Sequence, residues 1–566
     1  MRRFTIILLC VVSNTLHVIV TGDVHGSWFP YSYSDSSRVK PSLMAVKTAV
    51  DAVRDSVGRE NVLLIDAGDC LQGDNAAFYY NNVDTCCRHI FPLLASYMGY
   101  DAAVVGNHDI EAGHGVYDRV NRELSELGIP YLGGNAIKAD GNPYFPEYAV
   151  FFRAGLKILV MGYTNANIKS WVSENQWRGM TFESVVSRVQ ESLDAVVARE
   201  KPQVVIVVAH TGTGDGDGKQ LENEGLDVFN SVQGVDLMVC AHDHKPYVLN
   251  ATGRSLVNSG ARASYIGHSV INIETRGRKV TGKTVKSSVV RVDAAHFDRR
   301  MEEAFRDNYS AVKAFSLTPV GFLGMELRTR DAYSGMNAYV NLLHSVQLSV
   351  PEAKLSLAAP LTFNGTVREG MVRNEDMFTI YPFENQLFVV NLTGKEIVRI
   401  LEFSYNGWIS GTNEHVLKIT DRHDPRTGAQ KWSFVGRPYN FDSMAGLIYS
   451  VDVTEEYGSR IKVKSFADGS VFDPDGIYPV AMTSYRANGG GGALPQGAGL
   501  NVDDIQKRIV AIYPGIRELV REYFIRNKTV TPDLTGDASI LGHWSFVPEE
   551  KVAPLMKKDL ELLFGD

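Results

Sequence analysis

The chain has 566 residues, with 57 Lys and Arg against 65 Asp and Glu and a formal net charge of −8. At roughly 150 residues per domain, that length suggests two to four domains. The acidic balance, with no run of five like charges, excludes a general nucleic-acid binder. Hydrophobic residues make up 44% and charged residues 22%, a globular composition too apolar for long disordered tails. Five cysteines, none in a C-x-x-C pair, cannot form a disulfide scaffold in a chain this long.

In chain order, the first predicted element is the apolar run Phe4 to Val12 behind Arg2 and Arg3, too short to span a bilayer. The basic start, short apolar stretch and small Ser13 predict a secretory signal over residues 1–13. The protein is then expected to be periplasmic or secreted, without stable membrane insertion. The competing reading is an extra buried strand, because Leu16–Val20 follows at once.

From there to about Val290, β-branched runs alternate with helical stretches, the pattern of a layered α/β domain. Strands are predicted at Leu16–Val20, Val62–Ile65, Ala102–Val105, Ala149–Phe152, Ile158–Met161, Val204–Val208, Leu237–Cys240 and Ser255–Val257. Phe297, Met301, Phe305 and Val312, interleaved with charged residues, then predict an amphipathic helix that could bridge two domains. The expected boundaries are 14–296 for the first domain, 297–319 for the linker helix and 320–566 for the second domain. That second domain should hold a helix over Tyr333–Leu348 and strands at Lys354–Leu357, Leu387–Leu392 and Tyr478–Ala481.

Five polar clusters follow strands of the first domain: Asp23-Val24-His25, Gly68-Asp69, Gly106-Asn107-His108, His210 and His242-Asp243-His244. Polar side chains at the carboxyl ends of successive strands converge on one edge of a sheet, where open α/β folds place ligands. Imidazole nitrogens with carboxylate and amide oxygens are the donors that Zn- or Mn-type ions prefer, and a two-metal site needs a carboxylate able to bridge. Any one cluster occurs by chance. Five in order, each behind an apolar strand, argue for a metal centre.

This order of motifs, closing with G-N-H-D at Gly106–Asp109 and H-x-H at His242 to His244, resembles the calcineurin-like metallophosphoesterases. With the second domain's motifs, the chain resembles the bacterial family of 5′-nucleotidases and 2′,3′-cyclic-nucleotide 2′-phosphodiesterase/3′-nucleotidases. The resemblance implies a four-layered α/β/β/α sandwich joined by a helix to a second α/β, nucleotide-binding domain. It implies two divalent ions, one held by Asp23, His25, Asp69 and His244, the other by Asp69, Asn107, His210 and His242, with Asp69 bridging. His108 would act on the reacting phosphate. In 5′-nucleotidases an Asp three residues later orients this His, and Glu111 stands there in this chain. Ala241 likewise replaces the glycine of the usual G-H-x-H.

In the second domain, the resemblance implies that Phe383 and Tyr485 sandwich the nucleobase by stacking. The N-x-G-G-I-R stretch of 5′-nucleotidases is replaced by Leu357-Ala358-Ala359-Pro360-Leu361-Thr362-Phe363-Asn364, and Gly491 stands where those enzymes carry an Asp. The A-A-P segment and Ser484-Tyr485-Arg486-Ala487-Asn488-Gly489-Gly490 resemble the cyclic phosphodiesterase branch, whereas Pro382-Phe383 resembles the 5′-nucleotidases. The favoured activity is therefore hydrolysis of 2′,3′-cyclic nucleotides and 3′-nucleotides, with 5′-nucleotidase activity as the alternative. A catalytically inactive binding protein would be expected to have lost a ligand, and none is missing. Arg262, Arg368 and Arg486 are weaker candidates for phosphate contacts and read first as solvated surface residues; His17 and His114 read as structural.

Overall fold

The computed structural model describes residues 11–35, 38–276, 279–411, 414–423 and 430–565. Residues 1–10 of the predicted signal lie outside the described residues. The chain forms two compact units, meeting in sequence at Ser316/Leu317.

The first unit holds two six-stranded sheets. One runs, edge to edge, Lys279–Arg291, Tyr265–Arg276, Val11–Thr21, Val62–Asp66, Ala102–Val104 and Tyr131–Leu132. The other runs Tyr247–Ala251, Arg254–Asn258, Leu237–Cys240, Val204–Ala209, Leu156–Tyr163 and Tyr148–Arg153. Side chains alternate faces along a strand, and here both faces are apolar. Leu16, Val18, Val20, Leu63, Ile65, Val204, Ile206, Val208, Leu237 and Val239 meet between the sheets in one buried cluster. The intervening Ile19, Val62 and Leu64 face the helices Leu43–Val57, Ile90–Met98 and His114–Glu126. On the other side Val205, Val207, Met238 and Cys240 face Val185–Glu200 and Gly225–Ser231. Three cores between four layers make the α/β/β/α sandwich.

Every strand predicted for this domain is present, within one or two residues at most ends. The first strand is longer than predicted: it begins at Val11 and pairs Val11, Val12 and Ser13 with Arg276, Thr275 and Glu274. The hairpin of Tyr265–Arg276 and Lys279–Arg291 escaped the sequence reading. The amphipathic segment folds as two helices, Arg299–Ala304 and Arg306–Ser316, rather than one bridging helix. Its Phe297, Met301, Phe305 and Val312 join the first unit's helical-side core, so the apolar stripe has its partner there.

The second unit centres on a five-stranded sheet in the order Ser443–Ala445, Leu355–Ala358, Ile477–Thr483, Gln386–Thr393 and Ile509–Gly515. Phe388, Val390 and Leu392 point into a core shared with helix Gly394–Trp408. Leu387 and Val389 point into another, shared with Ala338–Leu348 and Ile516–Asn527. Among the described residues, no helix is long and apolar enough to cross a membrane.

Candidate metal centre and aromatic loops

The parallel register of Val11–Thr21, Val62–Asp66 and Ala102–Val104 brings three polar loops out at one sheet edge. Val204–Ala209 and Leu237–Cys240, parallel in the second sheet, do the same for His210 and His242 to His244. Main-chain bonds lace the loops together: Asp23 N donates to Gly68 O at 2.9 Å and His25 N to Asp69 O at 2.9 Å. Asp23, His25, Asp69, His242 and His244 all have φ between 49° and 72°, a left-handed conformation that costs a non-glycine residue about 1–3 kcal/mol and persists where surrounding structure enforces it. Gly106 lets the loops approach closely, since a Cβ there would lie 2.1 Å from Asp69 Oδ1.

Two groups of ligand atoms result, Asp23 with His25 and His244, and Asp69 with His210 and His242, each within 4.8 Å. Asp23 Oδ1 lies 3.5 Å from His244 Nε2 and 3.8 Å from His210 Nε2, between the groups. Asn107 Oδ1 lies 2.8 Å from His242 Nδ1. Asp69 uses Oδ1 to accept from His108 N–H at 2.8 Å and turns Oδ2 toward His210 Nε2 at 3.0 Å.

The donor chemistry fits a cation. His210 Nδ1 meets Ala67 O at 2.8 Å and His25 Nδ1 meets Gln72 O at 3.1 Å, so each N–H is spent on a carbonyl and each Nε2 carries a lone pair. His210 Nε2 then confronts Asp69 Oδ2, both buried and unpartnered by hydrogen bonds, while His25 Nε2 lies 2.9 Å from Nε2 of the exposed His244. Buried acceptors facing one another are costly unless positive charge lies between them. Burial lowers the His210 pKa, yet Asp69 and Asp23 outweigh it and push it up to about 10. The pocket demands a cation, which divalent ions satisfy without protonating a ligand.

Support comes from residues the sequence reading did not assign. Asp109, fully buried, accepts backbone N–H groups from Asp69, Cys70, Leu71 and Gly106 at 2.8–3.0 Å. It binds the Gly68-Asp69 loop to the Asn107-His108 loop. Asp66 lies beneath, accepting from Thr21 Oγ1 at 2.6 Å and Gly68 N at 3.0 Å. Its burial pushes its pKa up to about 7. Asp109 was legible as part of G-N-H-D, whereas no motif marks Asp66, one residue beyond the predicted strand Val62–Ile65.

His108 stands beside the centre, its ring centroid 5.4 Å from that of His25. Its Nδ1 meets Glu111 Oε2 at 2.5 Å, so the longer carboxylate reaches. Burial lowers its pKa, but Asp69 and Glu111 prevail and raise it to about 9.

In the second unit, Phe383 and Tyr485 are both half-buried, Phe383 on a loop and Tyr485 in the one-turn helix Ser484–Ala487. Tyr439, which the sequence reading missed, stands nearly perpendicular to each, with centroids 6.0 Å from Phe383 and 6.4 Å from Tyr485. A buried arginine braces the backbone beside each ring. Arg517 donates to Tyr381 O, Pro382 O and Phe383 O at 2.8–3.0 Å. Arg486 pairs with Asp442 at 2.9 Å and donates to Tyr439 O, Asn440 Oδ1 and Gly490 O at 2.8–3.0 Å.

With this geometry in view, comparison with known proteins is direct. Residues 16–246 match the calcineurin-like phosphoesterase family and residues 317–496 the 5′-nucleotidase C-terminal domain. The chain joins a calcineurin-like phosphoesterase domain to a 5′-nucleotidase C-terminal domain. It is 24% identical over 545 residues to the 2′,3′-cyclic-nucleotide 2′-phosphodiesterase/3′-nucleotidase of Salmonella typhimurium, covering 84% of this chain and 81% of that protein. It is 23% identical over 574 residues to the 5′-nucleotidase of Rattus norvegicus, covering 92% and 90%. Its fold is similar to that of a 5′-nucleotidase from Staphylococcus aureus described as putative, with a TM-score of 0.76 at 18% identity over 94% of this chain and 99% of that one.

This phosphoesterase is therefore a metal-dependent phosphoester hydrolase. Its departures from the expected motifs have physical reasons. Ala241 is 1% exposed and packs between the two sheets. At Gly491, φ is +70° and a Cβ would lie 2.1 Å from Arg486 Nη1 and 2.5 Å from Asn440 Oδ1, so these two side chains stand where a side chain at 491 would begin. Arg486 itself corrects the surface reading, being 2% exposed and internally bonded. Arg262 and Arg368 are exposed, and Arg262 Nη1 donates to Gly73 O at 2.9 Å. His17 pairs with His268 at 3.0 Å, and His114 with Asp118 and Arg178 O.

Proposed function

We propose that the phosphoesterase hydrolyses extracytoplasmic nucleotides, acting on 2′,3′-cyclic nucleotides and 3′-nucleotides in preference to 5′-nucleotides. Asp23, His25, Asp69 and His244 would hold one divalent ion, and Asp69, Asn107, His210 and His242 the other. The observation that carries this is the confrontation of buried, unpartnered acceptors, Asp69 Oδ2 against His210 Nε2. When bound, two such ions neutralise phosphoryl charge and lower the pKa of water to make a nucleophile.

The chain's own residues do the rest. His108, hydrogen-bonded to Glu111 and beside the metal ligands, would donate to a phosphoryl oxygen as charge builds in the transition state. Glu111 orients that imidazole through Nδ1. Phe383 and Tyr485 stack on the base, which accepts purines and pyrimidines alike because every base has a π-face.

The substrate preference is supported by the Ala358-Ala359-Pro360 and Tyr485-Arg486 segments and by Gly491 in place of the Asp of 5′-nucleotidases. The 5′-nucleotidase reading draws on Pro382-Phe383. Extracytoplasmic location draws on Arg2, Arg3 and the apolar run behind them; sequencing the amino terminus of the mature protein tests it. The deciding assay is phosphate release from 2′,3′-cyclic AMP, 3′-AMP and 5′-AMP, with and without chelator. A clear 5′-AMP preference with no cyclic activity would overturn the preference and leave the metal chemistry standing.

A further inference from the structure

His242 is held differently from its partners in the centre. His25 and His210 each spend Nδ1 on a backbone carbonyl, so the main chain fixes which nitrogen they present. In His242 the arrangement is reversed. Its Nδ1 lies 2.8 Å from Asn107 Oδ1, on the ligand side, and its Nε2 lies 3.1 Å from Glu222 Oε1. The indole of Trp171 stacks on the ring face, with centroids 5.2 Å apart and planes at 18°. The main chain of His242 is strained at φ +72°, its N–H donating to both Asp23 carboxylate oxygens at 3.1 and 2.9 Å.

A neutral imidazole has one N–H to give. Flanked by two oxygens, it gives that N–H to the anionic one, because charge-assisted bonds are the stronger. The proton therefore sits on Nε2 toward Glu222, and Nδ1 turns its lone pair beside Asn107 Oδ1, the arrangement a cation stabilises. Both outer residues are well placed. Glu222 O accepts from Thr211 Oγ1 at 3.0 Å, Asn165 Nδ2 at 3.1 Å and Gly212 N at 3.1 Å. Its carboxylate, at 46% exposure, remains accessible. Trp171 lies five residues before Gln176, whose side chain donates to Glu111 O and whose carbonyl accepts from Tyr117 Oη of the helix His114–Glu126.

We infer that Glu222 and Trp171 are positioning residues, Glu222 selecting Nδ1 of His242 as the ligand atom for the second ion and Trp171 holding the plane of its ring. This rests on the metal-ligand reading above and adds two residues that no motif marks. A carboxylate bonded to the outer nitrogen of a ligating histidine fixes its tautomer and raises its basicity, and losing it typically costs 10–100-fold in metal affinity or activity.

The test uses the full chain, stripped of metal and titrated with Mn(II) by calorimetry, with thermal unfolding recorded metal-free and metal-loaded. Glu222→Ala should weaken one of two binding steps by about 10–100-fold and leave the other in place. Glu222→Gln, which keeps an acceptor but no charge, should fall between. Trp171→Phe should stay near wild type, and Trp171→Ala should weaken the same step. The metal-free melting temperature of the Glu222 variants should match wild type, because that side chain is half exposed. Two unchanged steps in Glu222→Ala, or an equal loss at both with a lower metal-free melting temperature, would overturn the inference. Asp69→Asn separates the two levels: if it binds both ions normally, the ligand reading itself fails, whereas loss there with no effect at Glu222 removes only the positioning role.

Discussion

The two units build their sites from opposite materials. In the first, five polar residues are forced into left-handed backbone, and buried acceptors are turned upon one another. In the second, half-buried rings stand on a loop and a one-turn helix, with neighbouring carbonyls gathered by Arg517 and Arg486. Convergent lone pairs store a cost that only a cation releases, so the fold must impose that geometry. Aromatic faces are content in contact with one another, and holding the loops is enough. A substitution in the first site should therefore affect chemistry, and one in the second should affect affinity.

The sharpest break of this contrast is Asp69→Ala. It removes a carboxylate placed against His210 and His108 and should abolish turnover and lower metal content, read by elemental analysis. Near-normal activity at full occupancy would end the bridging assignment. His108→Asn should reduce kcat by about 10²–10³-fold, the order for one transition-state donor, while metal content holds. Loss of metal in that variant would move His108 among the ligands.

On the other side, Phe383→Ala and Tyr485→Ala should each cost about 1–3 kcal/mol of nucleotide binding. The effect should appear in KM, with hydrolysis of a phosphoester lacking a base untouched. An equal loss on both substrates would mean that these rings support the fold and not the ligand.

The smallest effect expected is on stability against pH, where the units should lean in opposite directions. Burial raises Asp66 to about 7, above its unfolded value near 4. Its neutral form is favoured in the folded state, so its contribution is complete below about pH 4 and is lost as pH rises through about 7. Burial lowers His344 in the second unit to about 3, against 6.5 unfolded. That contribution is complete above about 6.5 and is lost as pH falls toward 3. Urea midpoints measured across pH should show Asp66→Asn flattening the neutral-side decline and His344→Gln flattening the acid-side one. Identical pH profiles for the two variants would refute the assignment.

The sequence by itself determined the layered α/β class, because runs such as Val204–Ala209 and Leu237–Cys240 are apolar on both faces and can only lie between layers. It also determined the candidate donors, because Asp23, His25, Asp69, Asn107, His210, His242 and His244 each follow such a run and share its carboxyl end. It could not determine where the amphipathic stripe of residues 297–312 packs, since an apolar face does not name its partner; the outer core of the first unit supplied one. Nor could it find Asp66, Tyr439, Arg517 or Glu222, whose roles depend on distances between segments far apart in sequence. Arg486 shows the reason most plainly: as a letter it is a solvated cation, and only the approach of Asp442, Asn440 and the Tyr439 carbonyl, which gives each of its N–H groups a partner out of water, makes it an interior residue.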